Sequence, residues 1–531
     1  MDLEGGRAKI AGGTAEVNKW LVAVTVMLPT LIEIIDSSVA NVSLDHIRGS
    51  LSSGVDEAAW VLTSYLVSNA IIIPMTGWLS RVFGRKRYLI FSVVIFTVSS
   101  FMCGASTSLG MLVFFRVIQG LGGGAMQPMS QSILLETFPP EEHGMAMAIF
   151  GIGTLFGPIV GPLLGGYITD TLSWRWIFYV NIPIGLLAVF MISVFIYDPS
   201  YLRERRGEKA DVWGLALLTI WVGALQIVVD KGQREDWFHS DFILILAAVA
   251  VLAFILFVIV ELRFAKNPVV DLRVFRNLSF TGGNAVMFVA FFNLLGSIVL
   301  LPLYAQLLLG YTATLAGLVL SPGGIATIFT MLFAARFIGK HNPKYPLFFG
   351  ILICALSTWK MSHLSLGADF SALVWSRVYL GLGMGLTFIP LTTLTLSSIP
   401  KPQMGNATGI YNLLRNLGGS IGVAFSTTMF ARRAQVHQSR LVEHLTPFDS
   451  SFVEAVERGK ALLQMRGIPE ASSEKAILGR IYSEVVRQAT MMGFNDAFLI
   501  LSILMLSVMP LLFLLRRPAH QTRPAETTEF H

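Results

Sequence analysis

Three ionisable residues stand inside apolar segments where charge is costly. Glu33 and Asp36 lie in the run LPTLIEIIDSSVAN, and Arg116 lies in the middle of the apolar segment Met111 to Leu135. A full charge at the bilayer centre costs about 2.5–3.5 kcal/mol on insertion scales, so Arg116 must face protein or water and have an acidic partner. Glu33 and Asp36 are three residues apart, hence on one helical face, and can supply it. Two carboxylates sharing one arginine at low dielectric hold their protons with different affinities, which is the chemistry of a proton-exchange site. The alternatives are a static Asp36–Arg116 pair fastening two helices together and a Glu33 placed near solvent.

Further polar residues fall in the same apolar segments. Asn41, Asn69, Gln119, Gln127 and Gln131 are candidates to line a cavity or to bond between helices, and Arg415 with Asn412 and Asn416 forms a second polar face. Energy for work must come from outside these groups. The chain lacks a G-x-x-x-x-G-K-[ST] phosphate cradle and an HExxH pair, and GLGGGA has no lysine, so neither ATP drive nor a metal or other cofactor is expected. An ion gradient suffices, since one elementary charge moving through 100 mV yields about 2.3 kcal/mol.

The elements that position these residues follow from composition and charge. Of 531 residues 54% are hydrophobic and 14% charged, and the mean hydropathy is +0.65. That is the composition of an all-α polytopic membrane protein rather than of a soluble enzyme. The net charge of +6 is spread over loops and does not suggest nucleic-acid binding. Cys103 and Cys354 each sit in an apolar segment and read as packing residues. The polar stretch 1–18 precedes an apolar segment too long for a signal-peptide core.

Hydropathy predicts fourteen spans, at 17–42, 57–80, 87–107, 110–134, 143–168, 176–197, 212–230, 241–262, 278–307, 312–337, 345–364, 370–398, 403–430 and 493–515. Loops on the amino-terminal side carry Arg81, Arg85, Lys86, Arg87, Arg203, Arg205, Arg206, Lys209, Arg263, Lys266, Arg273, Arg276, Arg336, Lys340 and Lys344. Short loops on the other side hold little beyond Arg48, Arg175, Lys231 and Arg234, so both termini are expected to be cytoplasmic.

The chain also repeats itself. A gapless shift of 261 residues sets Arg116 on Arg377, Gly120 on Gly381, Gly122 on Gly383, Gly124 on Gly385, Pro139 on Pro400, Gly144 on Gly405, Ala146 on Ala407, Gly157 on Gly418 and Gly161 on Gly422. The shift moves span 4 onto span 12, so two spans are inserted between six-span copies, giving six plus two plus six with parallel repeats. The expected divisions are an amino-terminal bundle 1–197, an inserted pair 198–277, a carboxy-terminal bundle 278–516 and a cytoplasmic tail 517–531. The long segment 431–490 within the second bundle is expected to be a solvated helical hairpin or a docking surface. Arg377, close to a helix start, is expected to snorkel or be solvated.

With these residues the chain resembles the major facilitator superfamily, in its fourteen-helix drug:proton antiporter branch, and most closely the EmrB-type inner-membrane subunits of multidrug efflux systems. The marks are EIIDSSVANV around Asp36, FRVIQG at Arg116, GPLLGGY at Gly161, WIFYVNIPIG at Trp176 and Gly77-Trp-Leu. The resemblance implies that Asp36 and Arg116 couple protons, with Glu33 as a second carboxylate where such proteins tend to hold glutamine. It implies that Gly157, Pro158, Gly161, Pro162, Gly165 and Gly166 form the kinked antiporter motif, and that Gly77, Gly84, Arg85 and Arg87 belong to the loop that latches the halves together. Arg81 stands where that motif carries an acid, so the usual charge relay is expected to differ. The implied function is proton-coupled export of hydrophobic toxic compounds by alternating access from the bacterial inner membrane. The implied partners are an EmrA-type periplasmic adaptor and a TolC-type outer-membrane channel. Export of fatty acids or another endogenous metabolite is the alternative within transport, and a non-transporting receptor or scaffold is the alternative outside it.

Overall fold

The computed structural model describes residues 7–8, 17–198, 211–338, 342–443, 445–465 and 469–515. The expected tail 517–531 lies outside the described residues. The helices, numbered in chain order, are α1 Lys19–Val42, α2 Val55–Phe83, α3 Arg85–Gly104, α4 Leu109–Thr137, α5 His143–Thr171, α6 Trp176–Phe195 and α7 Val212–Lys231. They continue as α8 Asp241–Phe264, α9 Leu278–Leu309, α10 Ala313–Ile338, α11 Lys344–Met361, α12 Phe370–Leu396, α13 Met404–Val442 and α14 Glu470–Ser507. Among the described residues the only strands are the two-residue antiparallel pair Arg7–Ala8 and Val17–Asn18.

Local chemistry starts several of these helices. Asn18 caps α1 by accepting from Trp20 N at 2.9 Å, Asp211 caps α7 through Gly214 N at 3.0 Å, and Asp369 caps α12 through Ala372 N at 3.0 Å. Pro29, Pro74, Pro302, Pro322 and Pro390 lie inside helices, where neighbouring helices can offset the lost backbone bond. Eleven of the described helices are long and apolar enough to cross a membrane. Of the other three, α11 and α13 fall short of that measure, and α5 falls outside it because part of the helix is not described. Lys344 and Lys360 bracket α11, α13 carries a polar face with Arg415, and the side chains of Leu155, Phe156, Pro158, Ile159, Pro162 and Leu163 in α5 lie outside those described.

The internal repeat appears as repeated packing. In the first bundle α1 packs on α5 and α6, α2 on α4, and α3 on α4 and α6; in the second, α9 packs on α13 and α14, α10 on α12, and α11 on α12 and α14. Each pair in the second set is the first with eight added. The inserted α7 and α8 pack on each other, and α7 also packs on α2 and α13 beside the seam between the bundles. The α7–α8 turn puts Asp236 and Trp237 at positive φ, and Trp237 Nε1 donates to Thr428 Oγ1 at 2.9 Å, tying the turn to α13.

Three features differ from expectation. Helix α4 is interrupted between Gly123 and Met126, at its glycine run. Helix α13 runs to Val442 and α14 begins at Glu470, so both extend well beyond the spans ending at 430 and starting at 493. The mixed charges there halt burial but not helix formation, and a further helix, Ser450–Met465, lies between them and packs on α14. The segment 431–490 is therefore a helical hairpin for most of its length. Arg377 is the third: it is 7% exposed, with Nη1 donating to Ser297 Oγ at 3.3 Å, because Gly323 and Gly381 let α10 and α12 close over it.

Candidate functional site

Glycines set the position of Arg116. A Cβ on Gly120 would lie 2.0 Å from Ser68 Oγ and 2.6 Å from Tyr65 O, one on Gly124 would lie 2.5 Å from Asn69 O, and one on Gly122 would lie 2.8 Å from Phe96 N. Helix α4 is thus pressed between α2 and α3 with no room for side chains. One turn before Gly120, Arg116 reaches past α2, donates from Nε to Val61 O at 3.1 Å, and is fully buried.

Asp36 meets it there. Arg116 Nη1 donates to Asp36 Oδ2 at 2.6 Å and to Gln119 Oε1 at 2.8 Å, while Asp36 Oδ1 accepts from Gln119 Nε2 at 2.9 Å and Asn181 Nδ2 at 2.8 Å. Asp36 is 2% exposed, and the guanidinium lies 4.1 Å from the Tyr65 ring centre. A proton on Asp36 would cancel the charge that two amide donors and a cation hold, and would leave Arg116 buried without a counter-charge. Gln119, expected as a cavity residue, belongs to this cluster. Asn181 was not among the expected site residues; the signal was an amide at the start of an otherwise apolar helix.

Glu33 builds a second cluster on the same face of α1. Its Oε2 accepts from Gln127 Nε2 at 2.5 Å, and its Oε1 accepts from Asn69 Nδ2 at 3.1 Å and from the Tyr65 hydroxyl at 3.3 Å. Gln127 Oε1 in turn accepts from Arg415 Nη2, and Gln131 Oε1 accepts from Asn412 Nδ2 at 2.7 Å. Helix α13 belongs to the second bundle, so this cluster bridges the two halves. Glu33 is 5% exposed, away from the solvent edge that was its alternative place. Asn41 is exposed near the end of α1 and joins neither cluster.

The expected motif residues divide. Cβ atoms on Gly157, Gly161 and Gly165 would lie 2.1 Å from Ile34 Cγ2, 2.4 Å from Ser38 Oγ and 3.0 Å from Val39 Cγ1, so α5 clamps the stretch of α1 that carries Asp36. Gly166 meets nothing within 4 Å, and the side chains of Pro158 and Pro162 lie outside those described. Gly84 ends α2 with φ 85°, and Arg85 makes two bonds to Glu136, at 2.9 and 2.7 Å, while Arg87 is exposed. A Cβ on Gly77 would lie 2.5 Å from Asn406 N, which brings α2 against the start of α13. Arg81 Nη2 donates to Pro268 O at 3.3 Å, and Asn406 exchanges two 3.0 Å bonds with the Asp271 backbone. The halves meet here at Gly77 and Asn406, and the inserted segment is tied to both of them, by Arg81 to Pro268 and by Asn406 to Asp271.

Two parallel six-helix bundles with a buried acid–arginine pair on the first and fourth helices define a secondary transporter. The chain belongs to the major facilitator superfamily, whose description matches residues 26–423. It is 37% identical over 480 residues to the multidrug export protein EmrB of Escherichia coli (strain K12), covering 90% of this chain and 91% of that one. It is 32% identical over 499 residues to the fatty acid resistance protein FarB of Neisseria gonorrhoeae, covering 94% and 96%. The solved structure of the proton:xylose symporter XylE superposes with a TM-score of 0.57 at 13% identity, covering 92% of this chain and 95% of that one, which bears on the fold alone. This chain is a multi-pass membrane transporter of the superfamily that includes the EmrB-type exporters.

Proposed function

We propose that the protein is a proton-coupled antiporter that exports hydrophobic toxic compounds by alternating access. The observation that carries this reading is the buried Asp36–Arg116 pair, in which the carboxylate accepts from Arg116, Gln119 and Asn181 and is the partner of a buried cation. Protons flowing inward supply the energy, and neither a cofactor nor catalysis is part of the cycle. The halves are 1–197 and 278–516, with 198–277 inserted between them and fourteen helices crossing the bilayer, α5, α11 and α13 completing each repeat.

The loop arginines and lysines favour both termini in the cytoplasm, and the likeness to EmrB favours a place in the bacterial inner membrane. In that orientation the contacts of Gly77 with Asn406 lie on the cytoplasmic side. The EmrB relationship supports service as the inner-membrane subunit of a tripartite system, with an EmrA-type adaptor and a TolC-type channel as partners and no nucleic acid involved. The hairpin formed by α13, Ser450–Met465 and α14 then projects into the periplasm, where an adaptor stands. Dedicated export of a fatty acid is the second reading, favoured by the likeness to FarB.

The deciding experiment is substrate-induced proton release from detergent-purified protein, comparing wild type with Asp36→Asn and Glu33→Gln. Release that vanishes in Asp36→Asn is the expected result. No release from wild type with a panel of hydrophobic drugs and fatty acids would sink both transport readings.

A further inference from the structure

Of the charges in the bridging cluster, Arg415 is the least engaged. Its Nη2 donates to Gln127 Oε1, but Nε and Nη1 are buried without hydrogen-bond partners, in a side chain 4% exposed. Buried donors left unmet are costly, and those of a charged group more so, so an acceptor that arrives at Arg415 recovers that energy. Its surroundings are apolar and aromatic. The guanidinium lies 5.3 Å from the Phe291 ring centre, and Phe291 lies 6.2 Å from Phe388, on the second bundle's side of the seam.

We propose that Arg415 sets substrate charge preference by taking the anionic head of an amphiphile whose apolar body lies along Phe291 and Phe388, with Glu33 as its internal competitor. This rests on the export reading above. The competition runs through Gln127. Its amide nitrogen donates to Glu33 at 2.5 Å while its oxygen accepts from Arg415, so one neutral side chain links a carboxylate in the first half to a guanidinium in the second. A substrate carboxylate offers Arg415 a full negative charge in place of an amide dipole, and charge-assisted bonds are about twice as strong as neutral ones. It takes the vacant Nε and Nη1 and draws the guanidinium away from Gln127, which weakens this bridge between the halves. A neutral substrate of the same shape has no such advantage and leaves the bridge intact.

The test uses the full chain in lipid nanodiscs and two probes, a twelve-carbon carboxylate and the primary amide of the same length. Affinities are measured for wild type, Arg415→Gln, Arg415→Lys and Glu33→Gln. Wild type is expected to favour the carboxylate by about tenfold or more, and Arg415→Gln to bring the two affinities together. Arg415→Lys keeps the charge but loses the planar set of donors, so it should retain part of the preference and serves if the glutamine variant does not fold. Glu33→Gln, which removes the competitor, should increase the preference. A carboxylate-to-amide ratio that Arg415 substitution leaves unchanged overturns the proposal, as does equal weakening of both probes, the mark of a purely structural role. Wild type that binds neither probe also overturns the proposal, while the export reading stands or falls on the proton-release panel.

Discussion

The Tyr65 ring lies 4.1 Å from the guanidinium carbon of Arg116, and the Tyr65 hydroxyl donates to Glu33 Oε1 at 3.3 Å. One side chain thus touches both polar clusters, packing on the cation that pairs with Asp36 and bonding the carboxylate that reaches toward Arg415. Tyr65→Phe keeps the ring and its cation–π contact while removing the bond to Glu33. Folding should be retained, with a loss of about 1 kcal/mol in stability. Proton release should lose part of its dependence on Glu33. A double-mutant cycle of Tyr65→Phe with Glu33→Gln, read as proton release per substrate bound, should be non-additive. Additive effects would mean that Tyr65 only fills space.

Stability and coupling at Asp36 are separable. Asp36→Asn strips Arg116 of its counter-charge, and breaking a buried pair in this way costs about 3–5 kcal/mol. Thermal unfolding in detergent should therefore come at lower temperature. The double variant Asp36→Asn with Arg116→Gln removes both charges and should regain much of the lost stability, yet it should still fail to concentrate drug against a gradient. Recovery of uphill efflux in the double variant would show that the pair is a structural fastening and that protons couple elsewhere.

The glycines of α5 offer an internal control. Gly157→Ala places a methyl 2.1 Å from Ile34 Cγ2, and Gly161→Ala places one 2.4 Å from Ser38 Oγ, so α5 must move away from α1. Overpacking of this kind costs about 1–3 kcal/mol. Gly166→Ala adds a methyl where nothing lies within 4 Å and should behave as wild type. Melting temperature and passive proton leak in proteoliposomes are the readouts. Leak that rises for Gly157→Ala and Gly161→Ala but not for Gly166→Ala fits a seal along α1; equal behaviour of all three would discard it.

Much of this site could be read from residue type and position. A charge inside an apolar segment must be paired, and three-residue spacing puts Glu33 and Asp36 on one face, so the first cluster's principal pair was legible. The register-locked glycines similarly carried the repeat, because a close helix crossing tolerates little else. What was not legible depends on which helices meet across the seam. Arg415 looked like part of a separate polar face, and only the approach of α13 to α4 joins it through Gln127 to Glu33. Arg377 looked solvated because helix position does not show that Gly323 packs over it. Asn41 shares the polarity of its neighbours, but the helix turns it outward.

The latch residues give the last contrast. Arg85 and Glu136 have side chains 8% and 9% exposed and bond at 2.7 Å between Arg85 Nη2 and Glu136 Oε1, whereas Arg87 two positions on is exposed. Arg85→Ala leaves Glu136 buried without that partner at the junction of α3 and α4, which should cost about 3–5 kcal/mol and slow efflux. Arg87→Ala should change stability by no more than about 0.5 kcal/mol. Glu136→Gln keeps the side chain's shape, retains one acceptor oxygen for Arg85 and removes the charge, so its effect should fall between the two. The measurement is melting temperature beside drug efflux in proteoliposomes. If Arg87→Ala proves the more damaging, then the arginine that matters at this end is the one reaching solvent, and the Arg85–Glu136 pair holds only the first bundle together.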